Sequence, residues 1–216
     1  LANRKLLHTI MGDVEEPDEL VVTPDGQWLI SPRDGDENAL KVWNLTSGKC
    51  LHTLTAHTGY VSAVAVTPDG QQIISASDDS TLKIWDLATG QLINTLTGHT
   101  HLVTAVVVRP DGQRIISGSE DGTLKIWDLA SGRRTQLRED LIRTLTGHTD
   151  EVETVVLTPD GQWIISASED ETLKIWDLTT GQLIRTLTNG GYFAHRCNLI
   201  CDGQRIISAS SDNTIK

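Results

Sequence analysis

The chain has 216 residues, with 38% hydrophobic and 22% charged side chains, a globular balance that excludes a disordered or collagen-like chain. Its 18 lysines and arginines against 29 aspartates and glutamates leave a formal charge of −11, which opposes binding to nucleic-acid backbones and docking on anionic membranes. No run approaches the roughly 18 apolar residues of a membrane helix. The three cysteines, Cys50, Cys197 and Cys201, are too few and odd in number for a disulfide framework, so a reducing, cytoplasmic setting is expected.

Leu1 to Asp13 carries no apolar stretch of the kind a secretory signal needs. Without secretion the sequon Asn44-Leu45-Thr46 has no consequence. Lys5–Ile10 matches Lys49–Leu54 and Gln91–Leu96 in pattern. From there the sequence is dominated by a repeat. Asp-Gly pairs fall at Asp25-Gly26, Asp69-Gly70, Asp111-Gly112, Asp160-Gly161 and Asp202-Gly203, each followed by Gln and an apolar run ending in Ser. Ile-Trp-Asp-Leu occurs at 84–87, 126–129 and 175–178, with Val42-Trp43-Asn44-Leu45 as a variant. Trp43 to Trp85 and Trp85 to Trp127 are each 42 residues, and Trp127 to Trp176 is 49 through an insertion in the Arg133–Asp140 stretch.

Each period reads as four short strands. In the clearest, Val61, Val64 and Val66 mark a first strand, and Thr67-Pro68-Asp69-Gly70 places Pro and Gly where turn dihedrals want them. Gln72–Ala76, Thr81–Trp85 and Leu92–Leu96 follow as three more strands across polar turns. Four strands of about five residues joined by tight turns predict an antiparallel meander. Such a sheet is apolar on both faces and must stack on its neighbours, which radial repetition allows. A period of about 42 ending in Trp-Asp, with Gly-His nearby, is the signature of a propeller blade.

These motifs resemble the Trp-Asp (WD) repeat β-propeller family over nearly the whole chain, most specifically in the second to fourth repeats, and the wording of the repeats is similar to the bacterial versions found in large signalling proteins. The resemblance implies an all-β propeller of about five four-stranded blades. These cover approximately residues 11–54, 55–96, 97–145, 146–187, and 188–216 plus 5–10, with the N-terminal strand completing the last blade. The alternative is a fragment of a larger propeller. The resemblance also gives structural roles to His57, Ser75, Asp79 and Trp85, to His99, Ser117, Asp121 and Trp127, and to His148, Ser166, Asp170 and Trp176. In each set Asp bonds His, His bonds Ser, and Ser bonds the Trp ring nitrogen. Three identical copies argue against a nucleophile, which needs one strained elbow and one oxyanion hole. The first repeat has Asp13 where His belongs and two extra residues between Ser31 and Trp43. The fifth keeps Ser208 and Asp212 but has Gly190 in place of His.

Competing motifs fail on chemistry. Asp34, Asp36 and Asn38 begin like a calcium loop, but Ala39 and Leu45 stand where Gly and Glu are required. His195, Cys197 and Cys201 lie on an expected strand, where i and i+4 stand about 13 Å apart, too far for two thiolates to share a zinc ion. The glycines at 118 and 122 lack a phosphate loop's Gly-Lys ending. No metal or cofactor is expected. Trp28 and Trp163 are expected exposed at the start of second strands.

Function is expected to be binding rather than catalysis. The resemblance places the partner face at the start of each first strand and just before each structural Asp. Those residues are Glu16 and Asp18; Tyr60, Ser62 and Asp78; Leu102, Thr104 and Glu120; Glu151, Glu153 and Glu169; and Phe193, His195 and Ser211. Seven of these are acidic and none is Lys or Arg, which suits a protein or peptide with a basic segment. Tyr60, Leu102 and Phe193 would add apolar anchors. The alternatives are the sensor or regulatory part of a larger bacterial signalling protein with an NTPase, kinase or protease domain, and, less in keeping with the sequence, a propeller lectin or enzyme.

Overall fold

The computed structural model describes residues 20–32, 38–129, 141–188, 200–201 and 205–207. Among the described residues the first four repeats form four-stranded sheets as the repeat predicts and there is no helix, while the strand expected at 5–10 and most of the expected fifth blade lie outside the described residues. The first sheet is β1 (Val21–Val22), β2 (Trp28–Pro32), β3 (Ala39–Asn44) and β4 (Cys50–Thr55). The second is β5 (Val61–Val66), β6 (Gln72–Ser77), β7 (Thr81–Asp86) and β8 (Leu92–Thr97). The third is β9 (Val103–Val108), β10 (Arg114–Ser119), β11 (Thr123–Asp128) and β12 (Leu141–Thr146), and the fourth is β13 (Val152–Leu157), β14 (Trp163–Ser168), β15 (Thr172–Asp177) and β16 (Leu183–Thr188). Every sheet is an antiparallel meander in sequence order. Two further strands, β17 (Ile200–Cys201) and β18 (Ile206–Ile207), pair antiparallel with each other.

The turn chemistry explains the meander. Thr67 donates its hydroxyl to Asp69 Oδ1 at 2.6 Å, and the same oxygen accepts the Gln71 N–H at 3.0 Å. Gly70 closes the turn at φ 70° with its N–H on the Thr67 carbonyl at 2.8 Å, a left-handed conformation that glycine adopts without cost. Thr23 and Thr158 repeat this arrangement with Asp25 and Asp160. In the third sheet Arg109 takes the threonine's place. Its Nε reaches across to the Gly161 carbonyl at 3.2 Å, and its Nη1 pairs with Asp111 at 2.7 Å.

Sheets pack face to face, always with unlike sides together. The Ile74, Ala76, Leu82 and Ile84 side of the second sheet meets Val103, Val106, Ile115 and Trp127 of the third in one core cluster. Ile30, Leu40 and Val42 meet Val61, Val64, Ile73 and Trp85 in the same way, and Ile116, Leu124 and Ile126 meet Val152, Val155, Ile164 and Trp176. The first strands β1, β5, β9, β13 and β17 contact one another in series, so the sheets fan out from a shared inner seam. Hydroxyls at one repeat position staple that seam: Ser62 donates to the Val103 carbonyl and Thr104 to the Val152 carbonyl. Further out, His52 Nε2 lies 3.0 Å from the Ala88 carbonyl of the next sheet, and Arg143 Nη1 lies 3.5 Å from the Thr179 carbonyl.

The third sheet lies close against the fourth at Gly118, whose counterparts are Ala76 and Ala167. A Cβ there would stand 2.8 Å from Val152 Cγ1 and 2.9 Å from Val155 Cγ2. Gly118→Ala is therefore expected to destabilise the fold by about 1–3 kcal/mol through overpacking, against a gain of at most about 1 kcal/mol from a stiffer unfolded chain. A urea midpoint at or above that of the wild type contradicts this.

Trp28 and Trp163 differ from expectation. Both are half-buried, and Trp28 packs against the cluster that contains Ile30. A ring this large at the mouth of an inter-sheet interface covers apolar surface instead of standing free. Asp34 and Asp36, and the Arg133–Asp140 insertion, lie outside the described residues.

Candidate functional site

In the second, third and fourth sheets the connection entering the sheet carries a His, and the turn between the second and third strands carries an Asp. The meander brings the two together over Ser and Trp. In the second sheet His57 Nδ1 is 2.8 Å from Asp79 Oδ2, His57 Nε2 is 2.7 Å from Ser75 Oγ, and Trp85 Nε1 donates to Ser75 Oγ at 2.9 Å. His99, Ser117, Asp121 and Trp127 repeat this at 2.8, 2.7 and 2.9 Å. His148, Ser166, Asp170 and Trp176 do so at 2.7, 2.7 and 2.9 Å. In the first sheet the Trp43 Nε1 to Ser31 Oγ bond is present at 2.9 Å, and Asp13 lies outside the described residues.

The protons in each chain can be assigned. Trp Nε1–H can only donate, so Ser Oγ accepts it and has its own proton left for His Nε2. His is then neutral with its proton on Nδ1, given to the carboxylate. The electrostatics agree. Burial lowers the pKa of His57, His99 and His148 and outweighs the raising effect of Asp79, Asp121 and Asp170. Burial pushes the Asp79 carboxyl up, yet bonds from Thr81, His57 and the Thr58 N–H hold it below its ordinary value. Asp121 and Asp170 are held low in the same way. The three serines have no exposed surface, so Oγ is closed to a substrate carbonyl while the sheet is intact.

Beside each set lies a buried lysine that sequence reasoning passed over. Lys83, Lys125 and Lys174 are at most 8% exposed. Each gives Nζ to an outer-strand hydroxyl, Thr95 at 3.2 Å, Thr144 at 3.0 Å and Thr186 at 3.2 Å. The stem covers apolar surface while the ammonium reaches a polar partner.

The family-model comparison matches the WD domain, G-beta repeat, at residues 48–86, 90–128 and 139–177. The chain belongs to the WD-repeat family. Each matched WD repeat holds the outer strand of one sheet and the first three strands of the next, so the chain itself ties neighbouring sheets together. No curated protein matches the chain. WD repeats generally mediate protein–protein interactions and are typically non-catalytic scaffolds.

Around the three WD tetrads, several residues expected on the partner face come together. Asp78, Glu120 and Glu169 sit in the turns just before the structural aspartates, with their N–H groups on the carbonyls of Tyr60, Leu102 and Glu151. Carboxylate oxygens of Glu151, Glu153 and Glu169 lie within 4.8 Å of one another. Burial raises the Glu120 carboxyl pKa, and the charges of Glu151, Asp78 and Glu169 raise it further, while His101 opposes them. Carboxylates of three WD sheets therefore feel one another. Tyr60 is 43% exposed beside them, and Leu102 is half-buried. The Ser62 and Thr104 hydroxyls are committed to the neighbouring sheets. Glu153 occupies their repeat position, so a carboxylate stands where the second and third sheets place a stapling hydroxyl. His101 was not singled out from the sequence, because its position holds Gly59 and Asp150 in the other sheets. Glu16, Asp18, Phe193, His195 and Ser211 lie outside the described residues.

Proposed function

We propose that the chain is a non-catalytic platform that binds a basic segment of a protein partner on the acidic face formed by Asp78, Glu120, Glu151, Glu153 and Glu169. The observation that carries this reading is the mutual repulsion of carboxylates from three sheets at one end of the fan, with Tyr60 exposed at their border. Clustered carboxylates focus a negative potential and attract cationic side chains. The same potential repels phosphate, so the partner is protein rather than nucleic acid or an anionic membrane, in keeping with a cytoplasmic setting. The His, Ser, Asp and Trp sets serve the blades, since a triad-like Ser buried under Trp has a structural use and no substrate access. On this reading the molecule has five blades, the last opened by β17 and β18 and completed by the N-terminal strand.

Binding is tested by surface plasmon resonance with lysine- and arginine-rich peptides that carry one aliphatic or aromatic residue, at about 0.05 and 0.3 M salt. Affinity is expected to fall as salt rises. Glu151→Lys with Glu153→Lys should slow association, by roughly tenfold or more, because charges act mainly by steering. Tyr60→Ala should instead speed dissociation, because it removes contact area. Binding indifferent to salt and to all three substitutions places the recognition surface elsewhere.

A further inference from the structure

Each buried lysine stands directly across a strand pair from the serine of its own tetrad. The register pairs Lys83 with Ser75, Lys125 with Ser117 and Lys174 with Ser166. Directly opposed residues of an antiparallel pair put their side chains on one face, about 5 Å apart at Cβ. On the other flank the same lysines oppose Thr95, Thr144 and Thr186, whose hydroxyls accept from Nζ. The residue before the histidine passes over the lysine stem. A Cβ on Gly98 would stand 3.2 Å from Trp127 Cη2 and 3.8 Å from Lys125 Cδ. In each repeat the lysine and the histidine are both at most 8% exposed, so a cation and an imidazole share one nearly dry environment.

This placement bears on the protons. The serine hydroxyl accepts the Trp Nε1–H and gives its own proton to His Nε2. If the imidazole took up a second proton, Nε2 would become a donor and the hydroxyl proton would need another acceptor. The residue across the strand pair is a lysine, whose ammonium donates and accepts nothing. Its charge also opposes an imidazolium beside it.

We propose that Lys83, Lys125 and Lys174 are positioning residues that lock their own tetrad histidines in the neutral form and so fix the order of donation from Trp through Ser and His to Asp. The charged groups acting on His99 are Asp121, from the turn between β10 and β11, and Lys125, from β11. Asp79 and Lys83 act on His57, and Asp170 and Lys174 on His148. Burial is the main cause that lowers each histidine, the carboxylate opposes it, and the lysine charge adds to the lowering. A lysine kept for its stem alone could become methionine with no effect on the histidine.

The test is an NMR titration of the imidazole Cε1 protons in the full chain, from about pH 8 to the lowest pH at which it stays folded. Lys125→Met keeps an unbranched stem and removes the charge. Protonation of His99 should then begin at a higher pH than in the wild type, while His57 and His148 titrate as before. Lys125→Arg keeps a charge that donates without accepting, and should hold His99 at its wild-type position. Lys83→Met should move His57 alone and Lys174→Met His148 alone, so three independent variants carry the test even where one fails to fold. A His99 titration identical in Lys125→Met and wild type overturns the lock and leaves the lysine a packing role. Equal movement of all three histidines overturns it too, because that reports a general loosening of the sheets. None of these readouts depends on peptide binding, so failure of the acidic face leaves this test intact.

Discussion

Replacing Asp121 with alanine is expected to destabilise the fold by about 3 kcal/mol. The carboxylate accepts from His99 Nδ1 at 2.8 Å, from the Thr100 N–H at 3.1 Å, and from the Thr123 N–H and hydroxyl at 2.9 and 2.5 Å. Each charge-assisted bond contributes roughly 1.5–3 kcal/mol, and a buried donor left without a partner costs about 1–3 kcal/mol. These terms overlap, because Thr100 is exposed and recovers a water molecule, so the sum stays well below four full bonds. The loss extends along the chain of protons: without its acceptor, the Nδ1–H of His99 is stranded under a side chain with no exposed surface. Asp121→Asn keeps an acceptor for His99 and should recover part of the loss. Urea denaturation of both variants measures the order. Equal midpoints for wild type and Asp121→Ala would falsify the proposed structural role.

The fold was legible because its signals are local and repeated. Val61, Val64 and Val66 with the Thr-Pro-Asp-Gly turn predict a strand and a hairpin wherever they occur, and β5 to β8 begin where expected and extend one residue further at Ser77, Asp86 and Thr97. The residues of the tetrads could be named because they recur at equal spacing in three repeats. Contacts between sheets were not legible in this way. The Ser62 and Thr104 staples, the Arg109 reach to Gly161 and the Arg143 reach to Thr179 join residues 36 to 52 positions apart, and nothing in one period says which atoms of the next will face it. The half-burial of Trp28 was missed for the same reason. At the acidic face the residue types were readable, but the grouping of Glu151, Glu153 and Glu169 depends on the fan of the sheets and on a turn that brings position 169 back over position 151.

Stability should fall steeply on mild acidification, well above the range in which carboxylates titrate. The three tetrad histidines are neutral in the fold, and burial holds each below its ordinary value of 6.5. A histidine lowered in the folded state takes up its proton in the unfolded chain first. Stability is therefore complete above the unfolded value and is lost as pH falls beneath it. The loss sets in as pH falls through 6.5 and continues until the folded value of each histidine is reached, and the three histidines act in the same direction. Glu120 works in the opposite direction. Burial and its acidic neighbours raise it in the fold, so it protonates there first and returns some stability, but it is one group against three. Further down, Asp79, Asp121 and Asp170, all held below the ordinary 3.8 in the fold, add a second loss as the unfolded carboxylates protonate first. Urea midpoints between pH 7.5 and 5 measure the first phase. His99→Gln should lower overall stability and also reduce the pH slope, since one of the three titrating tetrad groups is gone. A slope unchanged in that variant, or a wild-type midpoint that stays level from pH 7.5 to 5, would show that the tetrad histidines do not govern the acid response.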